Sequence, residues 1–240
     1  MRPGRPSVRP LAIALGAAAL VIAPACMWVI ERDAGNRVTV ISTPTEWPAG
    51  VDPTSPTLTL ADGTEVRVDA AYLGWRRVAL SPCAEARSFG GVARAHGGTS
   101  RNVIEATLVE HLVGDEAVPL AELAPATGRY CRLSIGAGAV DAGADGAPDD
   151  GSFDGYSFWI DGALRPAGTP DWRPFALRET ASFDVALPLD GISIEGGAAL
   201  EVTVSKAAAA WFDGVDLFAD GAAREVLERV QRSIALEGSW

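Results

Sequence analysis

The sequence predicts a mainly β protein: an immunoglobulin-like or transthyretin-like β-sandwich with one C-terminal helix, preceded by an N-terminal signal or anchor helix. The chain has 240 residues, which suits one domain plus a membrane-directing segment. It contains 26 glycines and 16 prolines, a content typical of turn-rich β proteins. Short runs of alternating apolar and polar residues recur, with turn signals about every ten residues. One helical pattern lies near the C terminus.

The first part of the exported chain is expected to be a proline-rich tether. Residues 31–56 contain four prolines and one candidate strand at Val38–Ile41. The β-sandwich domain is then expected to span residues 57–240. It opens with a β-hairpin, because the alternating runs Thr57–Leu60 and Thr64–Val68 flank an Asp-Gly turn.

The run Ala71–Leu80 predicts the next strand. A period of two assigns its apolar side chains to two faces: Tyr72, Val78 and Leu80 on one, Leu73 and Trp75 on the other. The segment from Glu85 to His111 has no clean period, so we expect a loop with at most a short element.

The second half of the chain continues the alternating pattern and then changes to a helical one. The predicted strands are Thr127–Ile135, Tyr156–Ile160 with a turn at Asp161-Gly162, Phe175–Leu177, Ser182–Leu187 and Leu200–Val204. A helix is expected after the candidate cap Asp220, with an apolar stripe of Val226, Leu227, Val230 and Ile234.

Residues 1–30 predict export to the membrane. Arginines at positions 2, 5 and 9 precede the uncharged apolar run Leu11–Ala23, and Pro24-Ala25-Cys26 follows. Three outcomes are open: cleavage that releases a soluble protein, lipidation of Cys26, or retention of Leu11–Ile30 as an uncut span. We favour the lipoprotein. Either tethered form places the domain on the periplasmic side of the cell envelope.

The three cysteines favour one disulfide. If Cys26 carries lipid, Cys83 and Cys131 remain, and an oxidising compartment favours their pairing over a role as soft metal ligands. A bridge across that loop would stabilise the fold by about 3–4 kcal/mol on the chain-entropy model.

Charge narrows the classes of partner. The net charge is −11 and Lys206 is the only lysine, which argues against nucleic-acid binding. Such a chain favours cationic partners and disfavours anionic lipid surfaces. The membrane is therefore expected as a partner through the N terminus, with an envelope protein as a second candidate.

Catalytic motifs do not emerge from the sequence. It contains no Gly-x-Ser-x-Gly elbow, zinc-protease helix motif, phosphate loop or dinucleotide fingerprint. His96 and His111 are the only histidines, with Glu105 and Glu110 close to them in sequence. An enzyme that uses His96 and a carboxylate is the third hypothesis, after two non-enzymatic ones.

The first candidate site is an acidic loop. Five carboxylates lie between residues 141 and 155, at Asp141, Asp145, Asp149, Asp150 and Asp154. Several oxygen ligands on a flexible, glycine-containing loop suit calcium, although the spacing differs from that of the EF-hand. The alternative is a polar connection that is solvated at the surface.

The second candidate site pairs His96 with His111. Together with Glu105, Glu110 or another acid, two imidazoles would suit copper or zinc. The alternative is two surface histidines that form local hydrogen bonds.

The third candidate site is formed by tryptophans. Trp75, Trp159 and Trp211 lie within or beside predicted elements and are expected in the core. Trp47 and Trp172 are flanked by prolines and could line a groove for a ligand such as a sugar, or meet another protein; rim packing is the alternative.

Four segments together resemble a known family: Ala71–Leu80, Gly128–Cys131 continuing to Ile135-Gly136, Gly155–Phe158 with Asp161-Gly162, and Trp211–Asp216. Their order is similar to that in the exported family typified by the methanobactin-associated copper-binding protein (MbnP-like), and in related bacterial lipoproteins. Those lipoproteins share an Ala-His loop, a Gly-x-Tyr-Cys strand and an aspartate-rich stretch, which Ala95-His96, Gly128–Cys131 and Asp141–Asp145 match. The resemblance implies an exported sandwich that binds copper or acts beside a haem-containing partner.

The functional prediction is therefore an exported, membrane-tethered, non-enzymatic binding module, with copper or calcium as candidate ligands. The alternative is an envelope structural or protein-interaction domain without a metal.

Overall fold

A computed structural model describes residues 35–83 and 101–237. These residues are mainly β, as predicted, and form twelve strands and one α-helix. In chain order they are β1 (Arg37–Ser42), β2 (Thr57–Thr59), β3 (Glu65–Pro82), β4 (Val103–Ile104), β5 (Leu108–His111), β6 (Val118–Leu123), β7 (Gly128–Ala137), β8 (Phe158–Arg165), β9 (Arg173–Glu179), β10 (Phe183–Ile194), β11 (Ala199–Lys206), α1 (Ala222–Ser233) and β12 (Ile234–Glu237).

The strands form two sheets. The four-stranded sheet has the order β12-β11-β1-β6, in which β1 is parallel to β11 and antiparallel to β6. The eight-stranded sheet has the path β10-β7-β3-β8-β9, and β2, β4 and β5 also pair with β3. One hydrophobic core contains buried residues of both sheets and of α1, for example Val40, Leu133 and Val226.

The long strand β3 organises the larger sheet. Two separate strands were predicted here, but the chain stays extended through all 18 residues. Trp75 pairs with Leu108 on β5 and with Ala137 on β7, so these two strands lie on opposite sides of β3.

The predicted division of β3 into two faces is wrong beyond Trp75. A register shift between Trp75 and Arg77 marks a bulge, which inserts one residue and exchanges the faces of all later side chains. As a result Leu73, Trp75, Val78 and Leu80 all lie in the same core. The alternation of side chains between the two faces of a strand therefore holds only within a segment that contains no bulge.

The folded domain includes β1, which lies ahead of the expected boundary at Thr57. Val38 and Val40 are fully buried, and β1 lies between two neighbouring strands rather than in a tether. The proline-containing residues 43–56 connect β1 to β2. The candidate strand at Val38–Ile41 is thus confirmed, but its assignment to a tether is wrong, because its partner β11 lies far along the chain.

Two further local predictions need correction. Asp161-Gly162 lies inside β8 rather than in a turn, and a Cβ atom at residue 162 would come within 2.7 Å of the Phe175 ring and 2.2 Å of the Arg67 carbonyl oxygen. Glycine is needed at this position because the neighbouring atoms leave no space for a side chain. Helix α1 begins after Gly221, whose φ is 88°, and Asp220 makes no side-chain cap.

The disulfide is present as predicted. It joins Cys83, directly after β3, to Cys131 on β7, with the two Cα atoms 4.9 Å apart. Strands β4 and β5 arise within the predicted loop of residues 85–111. His96, Cys26 and the export segment lie outside the described residues. Within the described residues, no helix is both long and apolar enough to span a membrane.

Candidate functional site

The aspartate-rich loop is a string of tight turns with its carboxylates exposed to solvent. Backbone hydrogen bonds from Ala144 to Asp141, from Gly151 to Pro148 and from Asp154 to Gly151 close three of these turns. All five aspartates predicted as calcium ligands, at positions 141, 145, 149, 150 and 154, are exposed. Two of them cap backbone groups: Asp154 accepts from the amide of Ala142 at 3.0 Å, and Asp150 from that of Ser152 at 2.9 Å.

The same loop covers a small second core on the outside of the larger sheet. Phe153 is 1% exposed and stacks on Trp159 with the ring centroids 6.2 Å apart. Val109 and Val140 complete this cluster. Gly146, with φ of 78°, brings the loop so close to β5 that a Cβ atom would lie 2.2 Å from the Val109 carbonyl oxygen. The loop is thus held by apolar packing and backbone contact.

His111 lies at the edge of this cluster. The residue is exposed, but its ring stacks on Tyr72 with the centroids 4.8 Å apart, and partial burial lowers the pKa of the imidazole below its ordinary value. Burial first, and then the charges of Asp150 and Asp161, raise the pKa of the Tyr72 hydroxyl. A neutral imidazole and a neutral phenol are favoured here.

The predicted metal ligands that the structure describes do not form a metal site. Among residues 35–83 and 101–237, no group of three or more histidine, cysteine, aspartate or glutamate side chains is arranged to hold a metal ion. Glu105 is exposed and lies 3.8 Å from Arg77, whereas the Glu110 side chain is buried in the core. The copper, zinc and calcium assignments therefore stay predictions, and the part played by His96 lies outside the described residues.

A buried charge pair, which the sequence analysis missed, connects the two sheets. Lys206 on β11 is fully buried and its Nζ lies 2.9 Å from Oε1 of Glu110 on β5, which is 2% exposed. The ammonium group also donates to the Thr43 carbonyl oxygen at 2.9 Å and to the Ser42 hydroxyl. The second oxygen of Glu110 accepts from the indole nitrogen of Trp75 at 2.8 Å. Every proton of the ammonium group thus has an acceptor.

The tryptophans divide into core residues and residues nearer the surface, largely as predicted. Trp75, Trp159 and Trp211 are buried. Trp47 packs edge-on against Trp211 at 5.7 Å between ring centroids, and Trp172 lies under the guanidinium groups of two arginines, 4.7 and 5.2 Å from its centroid. These contacts fit the rim-packing alternative for Trp47 and Trp172 better than the ligand groove.

The most exposed large apolar side chain among the described residues is Phe218, at 43%. It lies in the turn-rich segment between β11 and α1, and the Arg173 guanidinium stacks on it at 4.1 Å from the ring centroid. Two cavities flank this ring. One, of about 400 Å³, is lined by apolar side chains that include Leu60, Leu164 and Val215. The other, of about 470 Å³, runs between residues 174–178 of β9 and residues 217–223.

Comparison with family models, with curated proteins and with solved structures finds no match to this chain. The likeness to the MbnP-like family therefore continues to depend on the sequence motifs alone.

Proposed function

We propose that this chain is an exported, membrane-tethered, non-enzymatic binding module of the cell envelope that acts by docking another envelope protein. The observation that carries the docking role is Phe218, a large apolar ring that is 43% exposed between two cavities. Isolated exposed apolar residues are ordinary, but aromatic residues are enriched at protein interfaces, and the two cavities beside Phe218 offer space for side chains of a partner.

Export is supported by two independent features. The N-terminal segment has a basic region, an apolar run and a candidate lipidation residue, Cys26. The disulfide between Cys83 and Cys131 is of the kind that persists in oxidising compartments. Together these features favour a lipoprotein on the periplasmic side, with an uncleaved N-terminal anchor as the next candidate.

The finer fold assignment belongs to the same proposal. Buried residues from both sheets share one core, and the Lys206–Glu110 pair connects the sheets. This arrangement supports a β-sandwich of the immunoglobulin-like or transthyretin-like kind. A relation to the MbnP-like family, and copper binding at His96 and His111, stay sequence-based predictions that metal analysis of the natively exported protein would test.

Fractionation of the native host tests export. We expect the protein in the membrane fraction, with a lipid-modified N-terminal peptide that begins at Cys26 by mass spectrometry. Cys83 and Cys131 should resist alkylation until a reductant is added. Recovery in the cytoplasm with free thiols at both positions would contradict the proposal.

Photo-crosslinking in intact cells tests docking. A benzophenone amino acid at position 218 of the full chain should give a discrete adduct with one envelope protein. The matched control is position 103, because Val103, at 40%, is the other large apolar residue that is exposed among residues 35–83 and 101–237. Equal adducts at both positions, or none at 218, would argue against docking at this surface.

A further inference from the structure

The strand β9 is an edge strand with a defined set of free backbone groups. Among the described residues, β9 pairs with β8 alone. The amide of Ser157 donates to the Glu179 carbonyl oxygen, so odd-numbered residues of β9 direct their backbone groups toward β8. Pro174 has no amide proton, and proline in a sheet sits where the amide would face away from the neighbouring strand. Ala176 and Arg178 therefore direct their backbone groups to the open edge.

The cavity beside β9 follows this edge. Five consecutive residues, 174–178, line it, although consecutive side chains of a strand alternate between the two faces of the sheet. A cavity that touches all five must lie along the backbone edge rather than over one face. Its opposite wall is residues 217–223, and its volume of about 470 Å³ is within the range of ligand grooves.

The second cavity offers space for an apolar side chain at the end of this groove. Leu217 and Phe218 line both cavities, so the two are adjacent. Leu60, Leu164 and Val215 give the second cavity an apolar wall.

The charges around both cavities indicate the character of the ligand. Four exposed aspartates border the cavities, at positions 62, 213, 216 and 220. Hydrogen bonds from Thr64 lower the pKa of Asp62, which keeps that carboxylate charged. Of the two arginines present, Arg178 is paired with Asp161 at 2.8 Å, and Arg173 stacks on Phe218. The rim is therefore acidic and complements a basic ligand.

From these observations we infer that the groove between β9 and residues 217–223 binds an extended peptide segment of another envelope protein by strand addition. The segment carries a large apolar side chain flanked by basic residues. Its backbone pairs with Ala176 and Arg178, its apolar side chain occupies the cavity beside Phe218, and its basic residues face the aspartates. Strand addition of this kind takes affinity from main-chain hydrogen bonds and specificity from side-chain pockets. This inference rests on the proposed docking function and names the partner's chemistry.

The test uses the purified exported chain and a fluorescein-labelled, end-capped peptide, Arg-Thr-Val-Leu-Val-Thr-Arg, with fluorescence anisotropy as the readout. A peptide with glutamate at both arginine positions is the charge control. We expect the basic peptide to bind in the micromolar range and to weaken as salt increases. Phe218→Ala should weaken binding by about tenfold or more, whereas Val103→Ala should leave it unchanged.

A pair of substitutions at one position tests strand addition itself. Ala176→Pro removes an edge-facing amide and adds a ring at an exposed position, while Ala176→Val adds bulk at the same position and keeps the amide. We expect the first to abolish binding and the second to retain it. If Ala176→Pro does not fold, amide exchange in the unaltered chain decides, because the Ala176 amide should be slowed by the peptide.

Four results would overturn the inference. The first is that the basic peptide binds no more tightly than about 1 mM, and the second is that the glutamate peptide binds equally or more tightly. The third is that a folded Ala176→Pro variant binds the peptide as well as the unaltered chain does. The fourth is that the chain self-associates through Ala176 in sedimentation, which would make a second copy the occupant. A specific crosslink at position 218 together with any of these would leave the docking function standing and remove only the peptide mode.

Discussion

The aspartate-rich loop and the Lys206 network are both built around carboxylates, and they use them in opposite ways. The loop exposes its carboxylates and is held by Phe153, which is 1% exposed. The network buries a single carboxylate, Glu110, and gives each of its oxygens a donor. The number of acids in a segment therefore says little about their importance, because burial decides how much an ionised group affects stability.

The largest expected effect comes from breaking the buried pair. Lys206→Met would leave the Glu110 carboxylate buried without its cationic partner, and among the described residues the Trp75 indole alone would still donate to it, so we expect the free energy of unfolding to fall by about 3–5 kcal/mol in urea denaturation. The double variant Lys206→Met/Glu110→Gln should recover much of this loss, since the amide oxygen still accepts from Trp75 and no charge remains buried.

The surface pair Arg224–Glu228, with its atoms 3.6 Å apart on α1, is the matched control. Arg224→Ala should change stability by no more than about 0.5 kcal/mol. A loss below about 1 kcal/mol for Lys206→Met would show that the pair has little role in stability. If that single variant does not fold while the double variant does, the unpaired charge is identified as the cause.

The next effect concerns the apolar anchor of the loop. Phe153→Ala should destabilise the protein by about 3 kcal/mol, because it leaves a cavity beside Trp159 and removes a stacked ring. Amide exchange of residues 141–155 should accelerate more than that of the main core. Phe153→Leu, which keeps most of the volume, should cost clearly less. Unchanged exchange in the loop after Phe153→Ala would mean that other contacts hold it.

Individual carboxylates of the loop should matter less. Asp154→Ala removes the acceptor of the Ala142 amide and should cost about 1 kcal/mol. Asp149 has no such role, so Asp149→Ala should stay within about 0.5 kcal/mol. Thermal melts of both variants with added calcium also test the calcium prediction. A calcium-dependent rise in melting temperature that Asp149→Ala removes would support ligation by the loop.

Sequence patterns found most strands and the helix because each has a local signature, whereas the disulfide, whose cysteines are 48 residues apart, followed from the number of cysteines and the expected oxidising compartment. They failed where the structure depends on a distant partner or an inserted residue. The strand at Val38–Ile41 was predicted but assigned to a tether, because its partner β11 lies far along the chain, and the bulge after Trp75 exchanged the faces of β3. The Lys206 network was within reach: Val202, Val204 and Lys206 share one parity on β11, and all three are fully buried. Extending the apolar alternation to the polar residue that ends the strand would have flagged the only lysine as inward-facing.

The smallest expected effect is a pH dependence from His111. Because burial lowers the pKa of its imidazole in the folded state, the unfolded chain, with a pKa near 6.5, binds the proton more readily. His111 therefore favours the folded state fully above pH 6.5, and this advantage is lost as the pH falls through that value toward the lower folded pKa. The wild-type protein should lose more stability between about pH 7 and pH 5 than His111→Gln does.

Nuclear magnetic resonance supplies the direct measurement of this shift. The imidazole signal of His111, assigned in a His96→Gln background, should titrate below 6.5. Tyr72→Ala removes the stacked ring that lies 4.8 Å away and should move the midpoint back toward the ordinary value. A midpoint at or above 6.5 in the unaltered protein would mean that the imidazole is solvated. The stacked Tyr72 ring would then not shield the imidazole from water, and His111 would not destabilise the fold as the pH falls.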